Sequence, residues 1–176
     1  MTLYKKSFKK YLDDLGARRA HPGGGSSAAL VFCLGVSLIQ MSAAYSLSRF
    51  PGIHKELEAM KKKILPFIDL DGQLFAKAVK AKNKPEKKKS LQAAQKLTLQ
   101  VGEYCHKLFL VARGVHGKIK PSMKSDFYIG LKLVESALYA SIKNLKANQG
   151  MFHLDNTKKI SHLKKYLRQF KQWLPY

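Results

Sequence analysis

The residues best suited to chemistry form a glycine run, His21-Pro22-Gly23-Gly24-Gly25-Ser26-Ser27, which precedes an apolar stretch from Ala28 to Ala44. Three successive glycines can adopt backbone conformations that other residues avoid, and Ser26 or Ser27 can cap the helix that follows. Such a start exposes backbone N–H groups at the positive end of a helix, where anions bind. The alternative interpretation is a tight turn that lets two helices pack closely.

The histidines and cysteines predict neither a metal site nor a disulfide. Beyond His21, the histidines lack the spacing of metal ligands, and no His-Glu-x-x-His pattern occurs. These other histidines are His54, His106, His116, His153 and His162. Cys33 and Cys105 lie in different apolar segments, which favours reduced, buried thiols and a cytoplasmic location.

The net charge of +22 comes from 33 basic and 11 acidic residues. Only five of the basic residues are arginines, although arginine forks and exposed aromatic rings are typical of specific nucleic-acid recognition. The lysines cluster at 5–10, 61–63, 77–89 and 158–171. Three interpretations stay open: a solvated lysine surface, a surface for small anionic ligands, and a nucleic-acid surface that binds through counterion release.

Apolar residues recur at helical spacing along the whole chain, and no segment alternates with a period of two. There is no internal repeat and no composition shift that would mark a domain boundary. The predicted helices are a first one from about Leu3 to Gly16, then Ser27–Ser48, Ile53–Ala81 with a kink at Pro66, Glu86–Val115, Ser125–Asn148 ended by Gly150, and Asp155–Trp173. We therefore expect one all-α domain over residues 1–176, a helical bundle with a buried central helix.

The second predicted helix is long and apolar enough to raise the question of a membrane span. Ser37, Gln40 and Ser42 interrupt it, and a helix that is apolar nearly all round also suits the centre of a soluble bundle. The buried interpretation is favoured, so no membrane partner is expected. Its small residues favour close contact with neighbouring helices or with a second copy of the chain.

Four elements in chain order resemble a known family. They are Pro22-Gly23-Gly24-Gly25-Ser26 with an apolar helix ending near Met41, Asp69-Leu70-Asp71 with Phe75 and Ala78, Ser125-Asp126 with Gly130, and Ala137 with Asn144 and Asn148. With these elements the chain resembles the cyclodeaminase/cyclohydrolase family over about residues 8–150, and a basic C-terminal helix over 151–176 follows. Four elements in the right order are far more specific than any one of them.

The resemblance implies a folate substrate whose one-carbon unit bridges, or is about to bridge, two nitrogens, with no metal or redox cofactor. It implies a methenyltetrahydrofolate cyclohydrolase or a formiminotetrahydrofolate cyclodeaminase, and the absence of a fused transferase domain favours the hydrolase. It also implies a homodimer with the folate site near the subunit boundary, and the lysines would suit a folate tail of several glutamates. The alternative of another class is a non-catalytic module that binds nucleic acid or another polyanion.

Both reactions need an acid–base group, for which a carboxylate is suited. The candidates for catalysis are Asp126, Asp71 and His21, with Asp69 as a further carboxylate. Asp126 begins a predicted helix, where it is either catalytic or a plain cap. Asp69 and Asp71 are two residues apart and point to different faces, so at most one of them should reach a given pocket.

The predicted substrate-binding residues surround these carboxylates. They are Pro22, Gly23, Gly24, Gly25, Ser26, Ser125, Asn144 and Asn148. Asn144 and Asn148 share a helix face, so their amides could pair with the edge of a pterin ring, or they could cap the helix end at Gly150. The hypothesis as a whole requires that the glycine run and Asp126 meet in one cavity.

Overall fold

Helices make up nearly all of the regular structure in the computed structural model, which describes residues 7–19, 21–47, 51–152 and 154–174. Within these ranges there are seven α-helices, two short 3₁₀ turns and no β-strand. The helices are α1 (Phe8–Gly16), α2 (Gly24–Ser46), α3 (Pro51–Ile64), α4 (Phe67–Lys80), α5 (Lys84–Val115), α6 (Lys124–Phe152) and α7 (Thr157–Trp173). The all-α prediction is confirmed. Leu3 and Ser48, predicted to bound the first two helices, lie outside the described residues.

Several helix boundaries differ from those predicted. The expected kink at Pro66 is a full break between α3 and α4, because proline lacks the N–H that would continue the helix. The side chain of Asn83 accepts a hydrogen bond from the backbone N–H of Glu86 at 2.9 Å, so α5 begins earlier than predicted. Gly150 does not end α6, which continues to Phe152. The cost of a glycine inside a helix, about 1 kcal/mol, is small enough for tertiary contacts to offset.

The central helix is α2, which packs against α6 along its length and also contacts α3, α4 and α5. The two helices run antiparallel: Gly24 lies against Asn144, Gly35 lies against Gly130, and the backbone N–H of Lys120 donates to Ser46 Oγ at 3.0 Å. By length and composition α2 could cross a membrane, but half of its apolar segment is buried inside the protein. This burial favours the interpretation of α2 as the core helix of the bundle.

Both cysteines belong to the apolar core, as the sequence predicted. Cys33 and Cys105 are buried free thiols. Burial disfavours the thiolate, so it raises the pKa of Cys33 to about 12 and places the pKa of Cys105 well above its ordinary value. Neither thiol is therefore poised as a nucleophile or as a metal ligand.

Close packing of α2 on α6 depends on a glycine in each helix. A Cβ atom added at Gly35 would lie 2.7 Å from the carbonyl oxygen of Gly130 and 2.7 Å from Val134 Cγ2. Because the backbone of α6 cannot yield without moving the helix, Gly35→Ala should lower the free energy of unfolding by about 1–3 kcal/mol. Urea denaturation measures this loss. Gly114→Ala is the matched control, since its Cβ would meet open space and helix propensity should leave it neutral or stabilised by up to about 1 kcal/mol.

Candidate active site

A cavity of about 180 Å³ lies where the N-terminus of α2 meets α4, α5 and α6. It is lined by Gly23, Gly24 and Gly25 of the glycine run, Asp71 and Phe75 of α4, Leu91, Ala94 and Thr98 of α5, and Asn144 and Asn148 of α6. Three of the four elements that carry the family resemblance therefore meet at one place. They bring together a carboxylate, two side-chain amides and the start of a helix.

The glycines of the run leave room for side chains that line this cavity. The helix begins at Gly24, with Gly23 at its cap position, so the prediction that Ser26 or Ser27 caps it is wrong. None of the described glycines has a positive φ, which also removes the conformational reason for the run. Instead, a Cβ at Gly24 would lie 2.9 Å from Asn144 Oδ1, and a Cβ at Gly25 would overlap the Asp71 carboxylate. Glycine is needed because these side chains approach the backbone so closely.

The first turn of α2 presents its backbone donors to the cavity. The first intrahelical bond runs from the Ser27 N–H to the Gly23 carbonyl at 2.9 Å, so the N–H groups of Gly24 and Gly25 have no acceptor within the helix. The Ser26 N–H interacts with the Asp71 carboxylate. The Ser26 hydroxyl lies 3.0 Å from Tyr11 Oη and joins α2 to α1. The positive end of the helix dipole thus faces the cavity, as expected for an anion-binding helix start.

Asp71 is the only titratable side chain among the described residues that line this cavity. Burial raises the pKa of its carboxyl group, while the positive charge of His21 and the Ser26 N–H act in the opposite direction. Burial is the larger effect, so the pKa of the Asp71 carboxyl group lies above its ordinary value. A carboxyl group tuned in this direction is suited to taking up and returning a proton.

His21 and Pro22 lie behind the cavity and do not line it. The His21 ring sits over Gly72, where a Cβ atom would overlap the imidazole, and its Nδ1 is buried without a hydrogen-bond partner among the described residues. Pro22 follows His21 through a cis peptide bond and is buried. His21 is therefore placed to act on Asp71, and the structure does not bring it to the cavity wall as a group that touches a ligand.

Asn144 and Asn148 both line the cavity from α6. The Nδ2 of Asn144 is buried and has no hydrogen-bond partner among the described residues. Because α6 continues past Gly150, the alternative that these residues cap its end is wrong. A buried amide donor left unpaired is unfavourable, and the oxygen of a ligand would satisfy it.

The sequence did not indicate the wall that α5 contributes. The residues of this wall have the spacing of any core helix: Leu91, Ala94 and Thr98. The Thr98 hydroxyl donates to the Ala94 carbonyl of its own helix at 3.2 Å, which is also ordinary. Phe75 appears only as part of the family resemblance, and its ring packs edge-on against Phe152 at 6.3 Å between centroids. No pattern in α5 separates a cavity wall from a packing face.

Ser125 and Asp126 do not line this cavity, so the predicted meeting of Asp126 with the glycine run is wrong within one chain. Asp126 lies in the first turn of α6 and Asn144 lies 18 residues later in the same helix. At 1.5 Å per residue the two are about 27 Å apart. Between the two carboxylates of α4, Asp71 reaches the cavity and Asp69 does not, which agrees with the prediction from their spacing.

The raised pKa of Asp71 predicts a pH-dependent cost to stability. The folded state disfavours the ionised form of Asp71. Its contribution to the free energy of unfolding is therefore fully present below the ordinary carboxyl pKa and is lost as the pH rises through the raised pKa of the folded state. Asp71→Asn removes this ionisation. We expect the variant to gain stability relative to the wild type between about pH 3 and pH 7, as measured by urea denaturation across that range. A constant difference across this range would contradict the burial of the charge.

Comparison with known proteins gives a family match over most of the chain. Residues 7–169 match the formiminotransferase-cyclodeaminase family. Formimidoyltransferase-cyclodeaminase of Mus musculus is 27% identical over 169 residues, covering 84% of this chain and 31% of the relative. The Gallus gallus protein of the same name is 24% identical over 173 residues, covering 83% and 31%. The chain thus spans about a third of the length of these curated relatives.

A solved structure shows the same fold. The crystal structure of formiminotetrahydrofolate cyclodeaminase from Thermotoga maritima superimposes with a TM-score of 0.75 at 18% identity, covering 97% of this chain and 90% of that chain. Because the family match extends over most of the sequence, including the glycine run, Asp71 and both asparagines of the cavity, this chain belongs to the formiminotransferase-cyclodeaminase family.

Proposed function

We propose that this chain is a folate enzyme of one-carbon metabolism that hydrolyses methenyltetrahydrofolate to formyltetrahydrofolate. One observation carries the proposal: the Asp71 carboxyl group, with its raised pKa, shares a cavity with the unpaired amide of Asn144 and the N-terminus of α2. Membership of the family supports a folate as the ligand. Asp71, Asn144 and Asn148 supply an acid–base group and two amides from different helices.

In the proposed reaction, water adds to the cationic carbon that bridges two nitrogens of the substrate. The Asp71 carboxylate takes a proton from this water as the carbon becomes tetrahedral. The bond from this carbon to one nitrogen then breaks, that nitrogen receives the proton from Asp71, and the formyl group stays on the other nitrogen. One proton is released to solvent overall, because a cation and water give a neutral product.

The remaining cavity residues would bind and orient the folate. Asn144 and Asn148 present amide donors and acceptors to the edge of the pterin ring. The free N–H groups of Gly24 and Gly25 are placed to hold a substrate carbonyl or carboxylate oxygen. The ring of Phe75 supplies an apolar wall. The large positive charge of the chain would attract an anionic tail of glutamates.

Cyclodeamination of formiminotetrahydrofolate is the second candidate, which the names of the matched relatives favour. That reaction removes a proton from the attacking nitrogen and delivers one to the departing ammonia. A single titratable side chain among the described lining residues suits hydrolysis more directly, since water is the only proton donor that must be activated.

Two assays separate the candidates. Hydrolysis is followed by the loss of methenyltetrahydrofolate absorbance above the spontaneous rate, and deamination by ammonia release from formiminotetrahydrofolate. Turnover in the first assay alone supports the hydrolase, and ammonia release with slower hydrolysis supports the deaminase. If neither assay shows turnover and the protein binds RNA tightly in a salt-sensitive manner, the proposal is wrong and the chain is a polyanion-binding module.

We also propose that the protein acts as a homodimer through α2 and α6. Five large apolar side chains on these helices are 37–64% exposed, namely Leu34, Met41, Tyr45, Ile129 and Tyr139. A second copy of the same surface would cover them. Light scattering should give twice the mass of the chain, and Leu34→Glu should give the single mass. Val79→Glu, which changes an exposed apolar residue of α4, is the control and should leave the dimer intact.

A further inference from the structure

A small inner chamber lies on the core side of the active-site cavity, with room of about 10 Å³. The two spaces adjoin, because four residues line both of them: Gly25, Asp71, Thr98 and Asn144. The rest of the described chamber wall is apolar except for the hydroxyl of Ser141 on α6. A space of this size holds one water molecule and is too small for a folate ring.

One polar group of the inner chamber is a donor without an acceptor. The Nδ2 atom of Asn144 is buried and has no hydrogen-bond partner among the described residues. It carries two N–H groups, so it can donate both into the chamber and to a ligand in the cavity. A buried donor without an acceptor is unfavourable, and an oxygen atom in the chamber would remove this cost. The size of the chamber makes water the molecule that supplies it.

Two acceptors complete the polar lining. The Ser141 hydroxyl donates to the Ala137 carbonyl at 2.9 Å, so its hydrogen is committed and its oxygen is left to accept. The Asp71 carboxylate also lines the chamber and accepts in its ionised form. Buried waters typically make about three hydrogen bonds. One water can therefore accept from Asn144 and donate to both Asp71 and Ser141.

We propose that the inner chamber holds the water molecule that attacks the folate carbon, a role that rests on the proposed function. The two O–H groups of this water donate to Asp71 and Ser141, and one of its lone pairs accepts from Asn144. The second lone pair is left to form the bond to the carbon. As that bond forms, the electron pair of the C=N bond moves to the nitrogen, and the proton that faces Asp71 passes to the carboxylate.

Ser141 acts in this arrangement only through the water. Its side chain is fully buried and lines the chamber, and it is not among the residues that line the cavity. Ser141 is therefore a positioning residue, which should affect the attack of water and not the affinity for folate. Thr98 lines both spaces, so a substitution there would disturb both steps together.

Ser141→Ala should lower kcat for methenyltetrahydrofolate hydrolysis by about 10-fold, because one hydrogen bond to the water is lost, while the Michaelis constant stays within about twofold. Ser42→Ala is the matched control. Ser42 is also a fully buried serine whose hydroxyl donates to its own helix, to the Leu38 carbonyl at 2.9 Å, but it lines neither space. Its kcat should stay within about twofold of the wild type. Urea denaturation of both variants measures separately what the lost hydroxyl costs folding.

A high-resolution crystal structure of the wild type tests the water site without turnover. It should show one water within hydrogen-bond distance of Asn144 Nδ2, Ser141 Oγ and the Asp71 carboxylate. Three results would overturn the proposal. They are side chains that fill the chamber so that no water fits, equal kcat in Ser141→Ala and Ser42→Ala, and a raised Michaelis constant with unchanged kcat in Ser141→Ala.

These results are distinct from a failure of the proposed function. If the wild type hydrolyses methenyltetrahydrofolate and any one of them is found, the water site alone is wrong. If the wild type does not hydrolyse this substrate, the attack itself does not occur. The proposed function and the catalytic role of this water are then both wrong, whatever the crystal structure shows in the chamber.

Discussion

Asp71→Asn should lower kcat for methenyltetrahydrofolate hydrolysis by about 10²- to 10⁴-fold, the usual contribution of a general acid–base group. The substitution keeps the shape of the side chain and removes its ability to exchange a proton. Because Asp71 is the only titratable residue among the described residues of the cavity wall, no neighbouring wall residue can replace it. Loss of substrate absorbance, corrected for the spontaneous reaction, measures the effect.

Asp126→Asn is the matched control for this experiment. It makes the same chemical change in a carboxylate about 27 Å from Asn144 along α6, and activity should stay within about threefold of the wild type. A larger loss in Asp126→Asn than in Asp71→Asn would place the acid–base group outside the cavity. The unfolding experiments on Asp71→Asn separate lost chemistry from lost folding, since the variant should be at least as stable as the wild type at neutral pH.

Much of the fold could be predicted because it depends on local rules. Apolar spacing located most of the helices, and Pro66 marked the discontinuity between α3 and α4, although it was predicted as a kink and is a full break. The start of α2 could not be predicted in this way, since capping preferences point to Ser26 while the helix begins at Gly24. Asn144 and Asp71, two residues distant in sequence, lie against this first turn, where only glycine leaves them room. A tertiary contact therefore overrides a local preference.

The candidate site was predictable only where a residue type carries the signal. An aspartate in mid-helix and two asparagines one turn apart are locally unfavourable, and Asp71, Asn144 and Asn148 all line the cavity. Thr98 carried no such signal, because a threonine that bonds to its own helix is ordinary. The prediction for Asp126 was wrong for a geometric reason. The order of motifs along the chain does not reveal that Asp126 and Asn144 lie far apart on one long helix, α6.

Gly25→Ala should reduce kcat/KM by about 100-fold or more while leaving the protein folded. Its Cβ would overlap the Asp71 carboxylate, so that the side chain must move away from the Ser26 N–H and from the cavity. A displacement of about 1 Å at a reacting group costs about this much activity. Alanine is favoured over glycine in a helix by about 1 kcal/mol, which offsets part of the strain in the folded state.

Gly52→Ala is the matched control, because Gly52 is also the second residue of its helix and its Cβ would meet open space. It should keep full activity. The comparison separates the effect of removing a helical glycine from the effect of displacing Asp71. If Gly25→Ala were as active as Gly52→Ala, the contact between Asp71 and the start of α2 would have no role in turnover. The glycine run would then serve helix packing alone, and the acid–base role of Asp71 would depend on its burial in α4 without help from the helix dipole.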